Sequence, residues 1–166
     1  SADVASRNPC AAAGCGRLDG EGGAVAAAGR AYTIGPGITS ASGAGAPVGQ
    51  SLTRRGRNAA VRFLTGHDMK GFADHDWSAL ARPGEVAAIY MGKRAARYVQ
   101  GRLMMHGADP ATPITVIENA SRPDQRVLET HLSRLAPDPG DAGLSGPALL
   151  PYGLSPRPPL PPAPHP

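Results

Sequence analysis

Residues 85–92, EVAAIYMG, are a nearly continuous apolar run that ends in glycine and leads into RAARYVQGRLMMHG and then ITVIENAS. Successive strand side chains point to opposite faces, so an apolar run without alternation is what a strand covered on both faces requires. The next segment changes period. Ala95, Val99 and Leu103 recur at four-residue spacing, as one stripe of a helix does, and Gly107 stands where a C-terminal cap belongs. ITVIENAS then reads as a strand again. Strand, helix and strand in that order predict a crossover connection and an α/β layer architecture, with helices covering a sheet.

The flanking segments extend the pattern. AVRFLTG is a short β-prone segment stopped by Gly66, and HDMKGFADHDWSALARPG is polar and turn-rich, with one helical turn around Trp77 to Leu80. Pro123 sits where the first turn of a helix tolerates it. It precedes DQRVLETHLSRLA, in which Leu128, Leu132 and Leu135 form one stripe, so a second helix is predicted there. PALLPYGL predicts a last strand, and Pro151 within it implies an edge position or a local break. Upstream, GAVAAAGRAYTIG predicts a short Ala-rich helix closed by Gly29. Pro36 and Gly37 then turn the chain, with Thr39 or Ser40 placed to cap a small-residue helix. Inside that helix fall Gly45 and Pro47, where an interior glycine costs about 1 kcal/mol and an interior proline about 3 kcal/mol.

The chain has 22 Gly and 18 Pro in 166 residues, so part of it is expected not to pack. Residues 1–23, SADVASRNPCAAAGCGRLDGEGG, show no clean period and read as irregular structure. SPRPPLPPAPHP reads as an unstructured polyproline II tail, although RPPLPP has the pattern of an SH3-type ligand. No apolar run approaches the roughly 18 residues of a membrane span. Cys10 and Cys15 have no second cysteine pair, which excludes a disulfide framework and a zinc site and points to a reducing cytoplasm. The net charge of +4 implies an anionic partner, whether nucleic acid, a membrane surface or a small polyacid. SLTRRGRNAAVRF and GKRAARYVQGR concentrate seven arginines and one lysine, the pattern of solvated faces or of a basic nucleic-acid module; aromatic platforms for single strands are lacking. His67, Asp68, Asp74, His75 and Asp76 cluster as metal ligands or proton carriers can, but their spacing matches no ligand pattern and reads as a polar loop. TIGPGITSASGAGAPVG is no dinucleotide loop, because Ser40 stands where the third glycine belongs, and no Gly-Lys-Ser or Gly-Lys-Thr makes it a Walker loop.

PGITSASGA, SLTRRGRNAAVRFLTGHDMKG, DWSALARPGEVAAIYMGKRAA and PITVIENASRPDQRVLETHLSRL, in that order and at those separations, resemble the tetrapyrrole methylase family, and within it the members acting on uroporphyrinogen III. The similarity runs from about Gly16 to Arg157. It implies a two-domain α/β enzyme, dimeric and cytoplasmic, that transfers methyl groups from S-adenosylmethionine to carbons of uroporphyrinogen III, on the way to sirohaem and cobalamin. Residues 1–35 would be a remnant of the N-terminal domain, 36–154 the C-terminal domain with mixed sheet and crossover helices, and 155–166 a Pro-rich tail. The resemblance places Thr39 and Ser40 against the cofactor at the domain junction, with Met91, Ala120 and Ala148 at strand ends beside it. Arg54, Arg55 and Arg126, with Lys70 behind them, are the candidates for the substrate's carboxylates, because guanidinium forks match carboxylates bidentately. Another methyltransferase of the corrin pathway is the alternative of the same class, and neither nucleic acid nor membrane is an expected partner.

The chain also departs from the family. Nothing matches a glycine-rich loop like GAGPGD or the Asp-containing segment after it, so no catalytic acid or base can be assigned. SRNPCAAAGCGR stands where a motif like GGDPFVFGR is expected, with Asn8 in place of the Asp. These departures predict a fragment or truncated copy that does not turn over alone.

Overall fold

The structure, a computed structural model, describes residues 18–31, 33, 37–68 and 70–156. Cys10, Cys15, the turn at Pro36 and the RPPLPP stretch lie outside the described residues.

Five strands, β1 (Arg62–Thr65), β4 (Ala87–Tyr90), β5 (Pro113–Glu118), β6 (Arg126–His131) and β7 (Ala148–Tyr152), form one mixed sheet in the order β1, β4, β7, β5, β6. β1 runs parallel to β4, with Arg62 opposite Ala87 and Thr65 opposite Tyr90. β7 lies antiparallel between β4 and β5. β1, β4 and β5 therefore point the same way. Thr65, Tyr90 and Glu118 finish at one end of the sheet, where Ala148 begins β7. A two-strand hairpin, β2 (His67–Asp68) with β3 (Gly71–Phe72), springs from that end of β1.

The apolar run around β4 is buried on both faces, as its sequence requires. Ala87 and Ile89 join Leu150, Tyr152, Ile114 and Val116 in a cluster covered by Ala95, Val99 and Leu103 of α4 (Gly92–Met105) and by Trp77 and Leu80 of α3 (Trp77–Leu80). On the other face, Ala88, Ile117 and Leu149 pack against Ala41, Ala44 and Val48 of α2 (Ser40–Val48). The four-residue stripe of α4 is its buried face. Gly107, at φ 83°, closes it with its N–H on Met104 O.

The segment predicted as a second helix is not helical. Residues 126–131 form β6 (Arg126–His131), paired with β5 from Pro113–His131 to Glu118–Arg126, followed by one 3₁₀ turn, Leu132–Arg134. A four-residue spacing is also an even number, so Leu128 and Leu132 share a face in an extended chain too. The β5–β6 turn decides the outcome: Asn119 and Ser121 take positive φ, and the Ser121 N–H donates to Gln125 Oε1 at 2.8 Å. Leu132 and Leu135 are buried all the same.

β7 is an interior strand, so Pro151 is not at an edge. The break is the correct alternative: paired residues toward β5 are Ile114–Tyr152, Ile117–Leu149 and Glu118–Ala148, and the register skips the stretch opposite Leu150 and Pro151, where no proline N–H is available. Thr115, buried there, donates its hydroxyl to Leu154 O at 2.8 Å. Tyr152 is buried beside it, and desolvation pushes its phenol above the ordinary value of 10. The folded state favours the neutral phenol, so this contribution is complete below about pH 10 and is lost as pH rises through the higher folded value. Urea titrations across that range should show stability falling in the wild type and a flatter alkaline limb in Tyr152→Phe.

α1 (Leu18–Ala27) ends as expected, with Gly29 at φ 66° donating to Ala26 O, but starts five residues before Gly23. Thr39 caps α2 in extended conformation, its Oγ1 accepting from the Ser42 N–H at 3.1 Å, and Gly49 closes the helix at φ 63°. Gly45 and Pro47 do not break it. Pro47 stands next to last, so it forfeits a single bond, that to Gly43 O. A Cβ on Gly45 would meet Gln50 O at an ordinary 3.4 Å, whereas one on Gly43 would press on Ser121 Oγ at 2.9 Å. Gly45→Ala should therefore stabilise the chain by up to about 1 kcal/mol in chemical denaturation, and Gly43→Ala should not.

Candidate functional site

Among the described residues, three other than glycine have positive φ: Met91 at 52°, Asn119 at 51° and Ser121 at 65°. Met91 directly follows β4, and Asn119 and Ser121 are the first and third residues after β5. A left-handed backbone costs a residue with a side chain about 1–2 kcal/mol, less for Asn, so strain of this kind collects where a strand end is shaped for a ligand. Met91 precedes α4 without a side-chain cap bond, and the residue is 55% exposed. Gly92 follows because nothing larger fits: a Cβ there would overlap the branch of Leu150. The end of β1 closes against the same point, with the Gly66 N–H on Tyr90 O at 2.7 Å and no room for a Cβ between Ala95 and the Met91 carbonyl.

The five residues expected at the cofactor come to this one end of the sheet. The N-terminus of α2 abuts it, since the Ala41 N–H donates to Tyr90 Oη at 3.2 Å, which brings Thr39 and Ser40 alongside. Ala120 lies between the two kinked residues and packs on the α2 face. Ala148 pairs with Glu118.

The arginines divide. Arg54 and Arg55 lie in the loop before β1, closed by an Arg54–Asn58 bridge, near Gly84 and the start of β4. That is the opposite end of the sheet, where residues 53–59 line an open depression of about 490 Å³. Arg126 is at the kinked end, but its guanidinium is engaged with Ala142 O at 2.6 Å, Gly143 O at 3.2 Å and the Glu118 carboxylate at 3.7 Å. Lys70 is exposed at the tip of the β2–β3 hairpin, its N–H donating to Asp68 Oδ1.

The histidine and aspartate cluster holds loops together. Asp68 caps the hairpin, Asp76 caps α3, and His75 Nε2 lies 2.8 Å from Thr65 O. Asp74 accepts from Trp77 Nε1 at 2.8 Å, from the His75 N–H at 3.1 Å and from Arg102 at 3.3 Å. The Trp77 bond, aided by those of His75 and Arg102, lowers its carboxyl below the ordinary 3.8.

Sequence reasoning missed Asn119, Ser121, Glu118 and Lys93. An Asn at the close of a strand run is a known left-handed signal; Lys93 was indistinguishable from the solvated arginines around it. Glu118 is a charge at the end of an apolar strand, 4% exposed, and only the fold reveals what it holds.

Chemically this end presents the strand-end peptides, the exposed Met91 and the small side chains of Ala120 and Ala148, with Thr39 and Ser40 alongside. Such a set can bind and orient a nucleoside with an amino-acid tail. Ligands of α/β sheets gather outside the carboxyl ends of the strands in this way.

Residues 16–136 match the family of tetrapyrrole (corrin/porphyrin) methylases. The siroheme synthase of Pseudoalteromonas translucida is 41% identical over 122 residues, which are 74% of this chain and 26% of that protein. That of Edwardsiella ictaluri is 44% identical over 112 residues, 68% of this chain and 24% of that protein. The chain thus spans about a quarter of the curated relatives it matches. Among solved structures, the uroporphyrin-III C-methyl transferase of Thermus thermophilus complexed with S-adenosylhomocysteine superposes with a TM-score of 0.67 at 27% identity, covering 84% of this chain and 60% of that one. A cobalt precorrin-4 methyltransferase of cobalamin biosynthesis shares the fold, with a TM-score of 0.76 at 20% identity, over 87% of this chain and 61% of that one.

Proposed function

We propose that this chain, which belongs to the tetrapyrrole methylase family, forms the cofactor-binding part of an S-adenosylmethionine-dependent enzyme that C-methylates uroporphyrinogen III to precorrin-2. The observation that carries the reading is the coincidence of Met91, Asn119 and Ser121, the three left-handed residues, with the strand ends where the cofactor residues were expected. The likeness to a uroporphyrin-III C-methyl transferase at 27% identity, with siroheme synthases at 41% and 44%, supports the uroporphyrinogen substrate over later corrin intermediates. In this reading residues 36–154 are the C-terminal methylase unit, residues 1–35 belong to the N-terminal one, and the working enzyme is a cytoplasmic homodimer.

S-adenosylmethionine would supply an activated methyl group. Methyl transfer from sulfonium disperses charge, so the protein's task is to align donor and acceptor and exclude water. Met91 and the peptides from Asn119 to Ser121 would hold the cofactor, Thr39 and Ser40 would close one side, and Ala148 would border the adenine. Arg54, Arg55 and Lys70 are assigned to carboxylates of the substrate. Arg126 would act through the segment it already holds. The arginines at the far end of the sheet require the substrate, or a second copy of the chain, to reach there.

Met91→Gly should relieve a strained backbone and raise stability by about 1 kcal/mol, while it removes a cofactor contact and lowers methylation. The test of the function is product analysis, by absorbance and mass, after incubation of the full protein bearing this chain with S-adenosylmethionine and uroporphyrinogen III. A dimethylated product that is lost in Met91→Gly is expected. Methylation only of a later corrin intermediate would move the assignment to another enzyme of the family, and no methylation of either would reject it.

A further inference from the structure

Three charged residues from three elements converge on residues 142–147, the segment leading into β7. Lys93, in the first turn of α4, donates to Gly146 O at 2.6 Å and Leu144 O at 3.3 Å. Glu118, buried at the end of β5, accepts the Gly146 N–H. Arg126, at the start of β6, reaches Ala142 O, Gly143 O and Glu118. The segment in turn holds Asn119, whose N–H donates to Pro147 O at 3.0 Å. It fits closely: a Cβ on Gly146 would lie 2.8 Å from Asn119 Oδ1 and 3.1 Å from Glu118 Cγ.

Lys93 is two residues beyond the Met91 kink, and Glu118 immediately precedes the Asn119 kink. The two strained strand ends are separated in the sheet by β7, so nothing in the ladder joins them directly. Segment 142–147 spans that gap, and charge-assisted bonds at both of its flanks fix its height. We propose that Lys93, Glu118 and Arg126 form an ionic clamp that locks the Met91 and Asn119 kinks at a fixed separation, making them positioning residues for the cofactor. The clamp rests on the cofactor reading above and deepens it. It also explains why a buried carboxylate is kept at the end of an apolar strand, where it satisfies a backbone donor and a guanidinium instead of facing a reactant.

The test uses Lys93→Met, which keeps the stem and drops the charge, Glu118→Gln, which keeps the shape, and Lys93→Arg, which keeps the charge. Two readouts are taken on the full chain: amide hydrogen exchange at Gly146 and Asn119 without cofactor, and the Kd for S-adenosylhomocysteine by calorimetry. Faster exchange at both amides is expected in Lys93→Met and Glu118→Gln, with Kd weakened about tenfold and the thermal midpoint near that of the wild type. Lys93→Arg should restore both readouts. Unchanged exchange overturns the clamp, as does an unchanged Kd in variants of a wild type that binds. Weakening that merely follows a general loss of stability, without rescue by arginine, makes the residues structural only and also overturns it. A wild type that fails to bind, while exchange responds as expected, overturns the cofactor reading and the clamp's role with it, and that pattern is distinct from the others.

Discussion

Replacing Trp77 with alanine is expected to cost about 3–5 kcal/mol in chemical denaturation. The indole is 2% exposed and stands between α3 and α4, edge-on to Tyr98 at 5.8 Å and beneath the Arg102 guanidinium at 6.0 Å. Removing it leaves a cavity that the short α3 helix cannot collapse to fill, and strips Asp74 of its Nε1 donor. Trp77→Phe separates the two effects. It should retain much of the packing and lose the hydrogen bond, so the Asp74 carboxyl moves back toward its ordinary 3.8. The sign follows from the depressed folded pKa: the Asp74 contribution is present above the unfolded value and lost as pH falls through the folded one. An NMR titration of the Asp74 carboxyl in wild type and Trp77→Phe reads the shift. An identical Asp74 titration in the two would show that the indole bond does not set it.

Gly92 and Leu150 are expected to behave as one unit. Leu150 is fully buried in the central strand, so Leu150→Ala should cost about 2–5 kcal/mol through lost burial and the cavity left behind. Gly92→Ala puts a methyl where the Leu150 branch already stands, and Ile89 Cγ2 at 3.3 Å blocks the other side. Overpacking of this kind costs about 1–3 kcal/mol. In the double variant the added methyl occupies part of the space that the leucine vacates. The combined cost should fall short of the sum by about 1 kcal/mol or more, a coupling that a double-mutant cycle of urea midpoints measures. Because Gly92 follows the Met91 kink, Gly92→Ala should also weaken cofactor binding beyond what its stability loss explains. Strict additivity would place the two side chains out of contact.

The apolar run EVAAIYMG made the α/β class and the central strand legible, since only a strand buried on both faces has no polar side. The α4 stripe with Gly107, a cap at Thr39 or Ser40, and the turn at Trp77 were equally readable, because each rests on local chemistry. The stretch 124–136 was misread for a physical reason: the four-residue spacing of Leu128 and Leu132 satisfies both a helix and a strand face, and the Asn119–Ser121 turn that commits it to a hairpin lies upstream. The place of Pro151 depends on β7 inserting between β4 and β5, a long-range pairing that no local signal encodes. The five residues that the resemblance names lie at one sheet end, but it gave no sign of the backbone strain beneath them or of the charged groups that hold the segment before β7. Arg54 and Arg55, read as a basic motif, could not reveal that they sit at the far end.

The basic loops leave a second prediction of partner chemistry open to exclusion. Nucleic-acid binding through SLTRRGR would be steeply salt-dependent. No salt-sensitive shift of RNA or DNA is expected with this chain. Among the described residues no helix is long and apolar enough to cross a membrane.

The kinked ends of β4 and β5 are expected to receive the cofactor. Backbone amide shifts during titration with S-adenosylhomocysteine test it most directly. The resonances of Thr39, Ser40, Met91, Asn119, Ala120 and Ala148 should move together along one saturable curve, with those of residues 53–59 unmoved. Saturable shifts confined to the 53–59 depression, or no shifts at millimolar cofactor, would contradict it.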